Sequence, residues 1–237
     1  RGSPARVLNS GVQGYDTHQQ ATYLSERGWA LEPDVIVLGF YENDITLRNP
    51  GSEYRRQVAD DGTFRGGGGL RGIVPTWLVY RVKHLRSVVF VSRSLRELRW
   101  RFFPPEDNYH VRAIFLDEPT PTSELAWQQV TESLDSIRSE AADRGVEVIV
   151  AIFPYQAQMD ESALVHTYQG RLREITGELG LEVIDLLETF RESNRNGSFP
   201  YIPFDSHPDP IGHRLAGEAL APTVAATLAR RAAGASD

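Results

Sequence analysis

Four short apolar runs separated by longer stretches of helical periodicity constrain this chain more than any other feature. The runs are "ARVLNSG" from Ala5, "PDVIVLGFYEND" from Pro33, "GVEVIVAIFP" from Gly145 and "LEVIDLL" from Leu181. Val35 to Phe40 is almost continuously apolar, the mark of a strand covered on both faces rather than one with a wet side. Helical spacing occupies about Thr17 to Arg27, Ser123 to Arg144, Glu161 to Leu179 and Pro210 to Arg231. Strands alternating with helices of this length predict a parallel sheet with crossover helices, so the expected fold is a doubly wound α/β sandwich.

In such sheets ligands bind beyond the carboxyl ends of the strands, which directs attention to the segments that follow them. "NSGVQGY" follows the first run, "YEND" the second, and "FDSHPDPIGH" (204–213) the fourth, after a connection. Between Ile45 and about Thr122 the alternation breaks down, and a stretch that long without the pattern predicts an insertion, here 45–122, within one domain spanning 1–237. Its glycine run "RGGGGLRG" has no Gly-Lys-Ser/Thr after it and no strand before it, so it reads as linker and not as a phosphate loop.

The decapeptide 204–213 concentrates chemistry. In extended chain, residues i and i+2 share a side, so the Asp205 carboxylate can reach a ring nitrogen of His207 while Ser206 points away. A carboxylate on one nitrogen leaves the other free as a base, the orienter-and-base pair of nucleophilic hydrolases. Pro210 suits the first helical position, with Asp209 as cap. Two other readings stay open: a structural helix entrance with an incidental histidine, and a metal site from Asp205, His207, Asp209 and His213, although His213 falls inside the helix. Asn43 can donate its amide to an oxyanion, and Gly14 lets a backbone N–H approach a substrate closely. Alternatively, Asn43 and Asp44 turn the chain, and Gly14 supplies a positive φ.

"VLNSGVQGYDTHQQ", "PDVIVLGFYENDI" and "FDSHPDPIGHRLAGEAL" resemble the second, third and fifth blocks of the SGNH/GDSL hydrolase superfamily. The resemblance runs from residue 6 to about 225 and omits the insertion. It implies a flavodoxin-like core, with Gly14 and Asn43 as oxyanion-hole donors, His207 as general base and Asp205 as its orienting acid, and neither cofactor nor metal. The acid stands two residues before the histidine, where many members place it three before and this chain has Phe204. That spacing is similar to a bacterial branch containing polysaccharide O-acetyltransferases of the alginate-modifying type. The family's Gly-Asp-Ser tripeptide is not in this sequence. The expectation is a chain beginning after the first strand, lacking its nucleophile and inactive alone, with either a gap in the sheet between Val7 and Val35 or direct pairing of those two strands. Bacterial relatives of this shape often carry an upstream membrane anchor, which implies an extracytoplasmic site.

Composition narrows the partners. A formal net charge of −7 argues against a nucleic-acid binder, and cysteine is absent, which removes thiolate nucleophiles and thiolate metal sites. Dinucleotide binding fails because "GVQGYD" lacks the third glycine and the later acid. Two functions remain: an esterase or O-acyltransferase acting on an acylated carbohydrate or small ester, and a non-catalytic carbohydrate-binding or scaffold module of the same fold. A separate expectation attaches to residues 80–103. Arg81, Lys83, Arg86, Arg93, Arg96, Arg99 and Arg101 oppose Glu97 alone, with apolar residues at helical spacing. Such a segment can contact an anionic membrane surface, cover the site as a lid, or pack on the core.

Overall fold

The computed structural model describes residues 5–12, 14–45, 57–58, 64–65, 120–159, 161, 168–202 and 207–234. The chain falls into two compact units, residues 1–47 with 110–237, and residues 48–109. The first unit opens with helix α1 (Thr17–Glu26) and strand β1 (Val35–Phe40). In the second unit, β2 (Gln57–Val58) and β3 (Phe64–Arg65) pair antiparallel. The first unit then continues through α2 (Pro121–Ala142), β4 (Glu147–Ile152), α3 (Tyr168–Glu178), β5 (Glu182–Asp185), α4 (Leu187–Arg195) and α5 (Pro210–Gly234). The result is a mixed α/β structure around a three-stranded parallel sheet in the order β1-β4-β5. Residues 66–72 and 80–103 lie outside the described residues, though β3 stands directly before the glycines where the sequence reading expects no strand, and among the described residues no helix is long and apolar enough to cross a membrane.

Local chemistry sets the ends of α2. The Ser123 N–H donates to Thr120 Oγ1 at 3.1 Å, the Thr120 N–H donates to Ser123 Oγ at 2.9 Å, and Pro121 holds the first helical position, where its missing N–H costs nothing. The helix stops at Gly145, whose φ of 62° is open to glycine at little cost. Between these ends Ala126 and Trp127, then Val130, Leu134, Ile137 and Ala141 follow at steps of three or four residues, and all are buried. Each large one contributes roughly 1.5–3 kcal/mol by leaving water.

The buried stripe of α2 covers one face of the sheet. Leu38 and Phe40 of β1 and Val148, Val150 and Ile152 of β4 join it in one cluster with Leu172 and Ile175 of α3. Ile149 and Ala151 point to the opposite face by the alternation of a strand, and both are fully buried. Helix α5 lies against β1 and β4, and a second cluster of Leu186, Phe190, Tyr201 and Ala216, flanked by Phe153 and Ile184, joins α4 to α5. Burial from Val148 to Ile152 on both sides identifies β4 as the central strand of the three.

Two expectations are corrected. Residues 5–12 form no strand: they run as irregular, exposed chain, and Val7 is 88% exposed. A strand persists only where a neighbour takes up its backbone groups, and among the described residues β1 has a single partner, β4. The direct Val7–Val35 pairing does not form, and Val37 in the middle of β1 remains 43% exposed. The connection after the fourth run also contains a helix, α4, that the apolar pattern does not announce.

Candidate active site

All three strands are parallel, so their carboxyl ends lie along one edge. The ladder extends slightly past them, with the Phe153 N–H donating to Phe40 O at 2.8 Å and the Leu186 N–H to Ile152 O at 3.0 Å. From this edge the chain leaves β1 into a tight turn of 3-10 helix, Glu42–Asp44. Asp44 closes that turn. One carboxylate oxygen accepts the Tyr41 N–H at 2.6 Å, and the other accepts the side-chain amide of Gln20 at 2.6 Å. The Thr17 hydroxyl donates to the Asp44 carbonyl at 3.4 Å. Helix α1 is thus fastened by its first turn to the turn after β1. Asp16 caps that same helix, accepting the Gln19 N–H at 2.8 Å, and Gly14 stands two residues ahead of the cap with φ 76°, a left-handed conformation in which any other side chain is strained. Gly14 and Asn43 are both exposed, on two segments that Asp44 ties together.

His207 arrives from the far end of the chain. Tyr201 and Pro208 form an antiparallel bridge; the Ile202 N–H donates to His207 O at 3.0 Å and the Asp209 N–H to Pro200 O at 3.1 Å. Tyr201 is buried, and its hydroxyl donates to Pro154 O just beyond β4. Asp209 caps α5 through the Ile211 and Gly212 N–H groups, at 2.8 and 2.9 Å, and Pro210 is the first helical residue, as the sequence predicts. Gly212 allows this closeness, since a Cβ there would stand 2.4 Å from Pro200 O and 2.9 Å from Pro208 Cβ. His207 itself is exposed. It is held at the strand edge by backbone contacts on both sides, and its charge acts on Glu42 of the turn after β1.

Gly14 and Asn43 therefore come from segments joined through Asp44 and Gln20, and His207 comes from a loop pinned just beyond β4 at the same sheet edge. Asp205 and Ser206 lie outside the described residues. Among the described residues no three histidine, aspartate or glutamate side chains stand together as a metal-binding group, and His213 is exposed on α5. The surroundings of the turn are dry and acidic. Burial pushes the Asp44 carboxyl up to about 8, reinforced by Asp16 and Glu42 and opposed by the Tyr41 N–H and Gln20. Burial likewise pushes Glu42 up to about 7, with His207 pulling it down. Tyr41 and Tyr201 are raised above the ordinary tyrosine range, mainly by burial. Tyr41 packs on Tyr155 with ring centroids 6.3 Å apart, and Phe199 and Ile202 stay exposed near His207 in the chain. A shallow depression on α2 and α3 around Trp127, Gln128 and Arg171 shares no residue with this edge.

An exposed imidazole, an amide donor and a glycine turn at one sheet edge form a set that can move a proton and hold a developing oxyanion. Sequence reasoning did not single out Glu42, and it read Asp44 only as part of a turn. The available signal was two acids flanking an asparagine directly after a buried strand. No family model, no curated protein and no solved structure matches this chain.

Proposed function

We propose that this chain belongs to a serine-type acyl-ester hydrolase or O-acyltransferase acting on acylated carbohydrate or small esters, on a flavodoxin-like core of the SGNH kind. One observation carries the reading: the turn holding Asn43 directly follows β1, and the backbone bridge beside His207 is pinned through the Tyr201 hydroxyl to Pro154 O just beyond β4, both at the carboxyl edge of the parallel sheet. In this reading a serine hydroxyl attacks the acyl carbonyl while His207 takes its proton. The side-chain amide of Asn43 and the backbone N–H of Gly14 hold the tetrahedral oxyanion, each worth ~3 kcal/mol in the transition state. His207 then returns the proton to the departing alcohol, leaving an acyl-serine. Water as second acceptor completes hydrolysis, and a sugar hydroxyl completes transfer. Asp205 orients His207. The attacking serine is assigned to no residue of this sequence, which holds no Gly-Asp-Ser tripeptide.

The test is p-nitrophenyl acetate turnover by the full-length gene product and its variants. Expected is loss of turnover in His207→Ala and a roughly 100–1,000-fold fall in kcat in Asn43→Ala, the usual cost of removing one oxyanion donor. Turnover equal to the parent in His207→Ala overturns the enzyme reading and leaves a carbohydrate-binding module of the same fold, to be sought by glycan binding.

A further inference from the structure

We propose that Ile202 is a specificity-determining residue that receives the apolar C–H face of the ester's alcohol half, the sugar ring or hydrocarbon group bonded to the oxygen that departs beside His207. This rests on the reading of His207 as general base, and it names which half of the substrate lies beside that residue.

Register places the two residues together. Tyr201 bridges Pro208 antiparallel, with the Ile202 N–H donating to His207 O at 3.0 Å and the Asp209 N–H to Pro200 O at 3.1 Å. These two bonds flank the Tyr201–Pro208 pair, so Ile202 stands directly opposite His207, in a pairing whose Cα atoms are about 5.5 Å apart. Directly opposed residues project from one face, and their neighbours along the chain project from the other. Tyr201 fixes which face is which: it is buried, its ring centroid lies 5.7 Å from that of Phe190, and its hydroxyl donates to Pro154 O. Ile202 and His207 therefore project outward together, and both are exposed, Ile202 by 43%.

A lone exposed isoleucine needs no explanation in itself, but the position of this one gives it a use. Phe199 is also exposed, yet its ring packs on Tyr201 at 5.7 Å, on the other face. The β-branch of Ile202 suits an extended pair, a need that threonine or valine meets equally. The rest of its hydrocarbon is turned to water beside an imidazole. In the proposed reaction the carbonyl oxygen turns toward Asn43 and Gly14, while His207 returns its proton to the departing alcohol oxygen. Whatever that oxygen carries then lies on the His207 side of the site, and the acyl chain leaves the same carbon in another direction. In transfer the acceptor sugar takes the same place, because His207 removes the proton from its hydroxyl. Ile202 offers it an apolar surface already held by backbone hydrogen bonds, so little ordering cost attends the contact.

On the chain as it stands, nuclear Overhauser contacts should link the Ile202 methyls to the His207 ring protons, and their absence overturns the shared face. In the full-length product, kcat/KM is compared for benzyl and methyl acetate, whose alcohols have similar acidity and differ in apolar area. The same is done for p-nitrophenyl butyrate and acetate, which differ in the acyl chain. Ile202→Thr keeps the β-branch and should lower the benzyl-to-methyl ratio about tenfold, the low end of what a lost apolar contact costs in a substrate site, with the butyrate-to-acetate ratio unchanged. Phe199→Ala, which removes apolar surface from the other face, should leave both ratios unchanged. An unmoved benzyl-to-methyl ratio in Ile202→Thr, an equal fall in both ratios, or an equal fall in Phe199→Ala overturns the proposal. Should Ile202→Thr fail to fold, Ile202→Val decides, with about a twofold fall expected for one methyl lost from a half-exposed side chain and an unmoved ratio overturning the proposal. Failure of the general-base reading is seen separately, as full activity in His207→Ala. An inactive His207→Ala together with an unmoved ratio in Ile202→Thr removes the role of Ile202 alone.

Discussion

The carboxylate of Asp44 accepts a hydrogen bond from the side-chain amide of Gln20 at 2.6 Å, across 24 residues of chain, and this contact holds α1 to the turn that ends β1. The other carboxylate oxygen is occupied by the Tyr41 N–H at 2.6 Å, so Asp44 is an acceptor on both sides.

Asp44→Asn should therefore be costly although it preserves size. The asparagine keeps one acceptor and turns an NH2 toward the other donor, leaving a buried N–H unmet. A loss of about 1–3 kcal/mol is expected. Urea unfolding of the variant checks it, and a midpoint equal to the parent's would show that the two hydrogen bonds do not hold the turn.

Stability should fall as pH rises from about 4 to about 8. Asp44 and Glu42 have folded values of about 8 and about 7 against ordinary values of 3.8 and 4.5. The folded chain keeps protons that the unfolded chain releases between those limits, so their contribution is fully present below about pH 4 and is lost as pH rises through 7 to 8. The change is on the order of a few kcal/mol. Thermal unfolding at pH 5.5 should give a higher Tm than at pH 8.5, and Asp44→Asn should flatten the difference. Equal values at both pH settings in the parent would contradict the buried, protonated carboxyls.

Two glycines of α5 should respond oppositely to alanine. A Cβ on Gly212 meets the Pro200 carbonyl at 2.4 Å, and the backbone must move to admit it, whereas at Gly217 nothing stands within 4 Å. Gly212→Ala should destabilise by about 1–3 kcal/mol through overpacking, and Gly217→Ala should stabilise by about 0.5–1 kcal/mol through helix propensity. Denaturant melts of the two variants decide it; a neutral Gly212→Ala would mean that α5 does not pack against Pro200 as described.

What was legible in the sequence is what depends on local pattern. Val35–Phe40 and Glu147–Ile152 read as strands from their continuous apolar runs, although only the second is covered on both faces and Val37 of the first is 43% exposed, and α2 shows its spacing over many turns. The start of α5 at Pro210 follows from one cap and one proline. Legibility ends where a neighbour decides. Val7 and Leu8 look like strand residues, yet no described strand lies beside them. Helix α4 has Leu187 and Phe190 as its apolar positions amid polar residues, too thin a stripe to stand out from a loop. Glu42 is unremarkable in "FYEND" because the burial of its carboxyl is made by neighbours brought in by the fold, which no local pattern shows.

The clasp around His207 also has a consequence for how this region can drift. The Ile202 N–H to His207 O contact, backed by the Asp209 N–H to Pro200 O contact, closes the chain on itself and leaves four positions, 203–206, between the contacts. Exchanges of side chain at those four positions leave both contacts intact, since these use only backbone atoms. A deletion among them does not, because the closing pair would lose its reach. As far as these two backbone contacts are concerned, positions 203–206 are thus permissive in spelling and strict in length, and a lineage descending from this chain can retune what precedes His207 while inheriting its position unchanged.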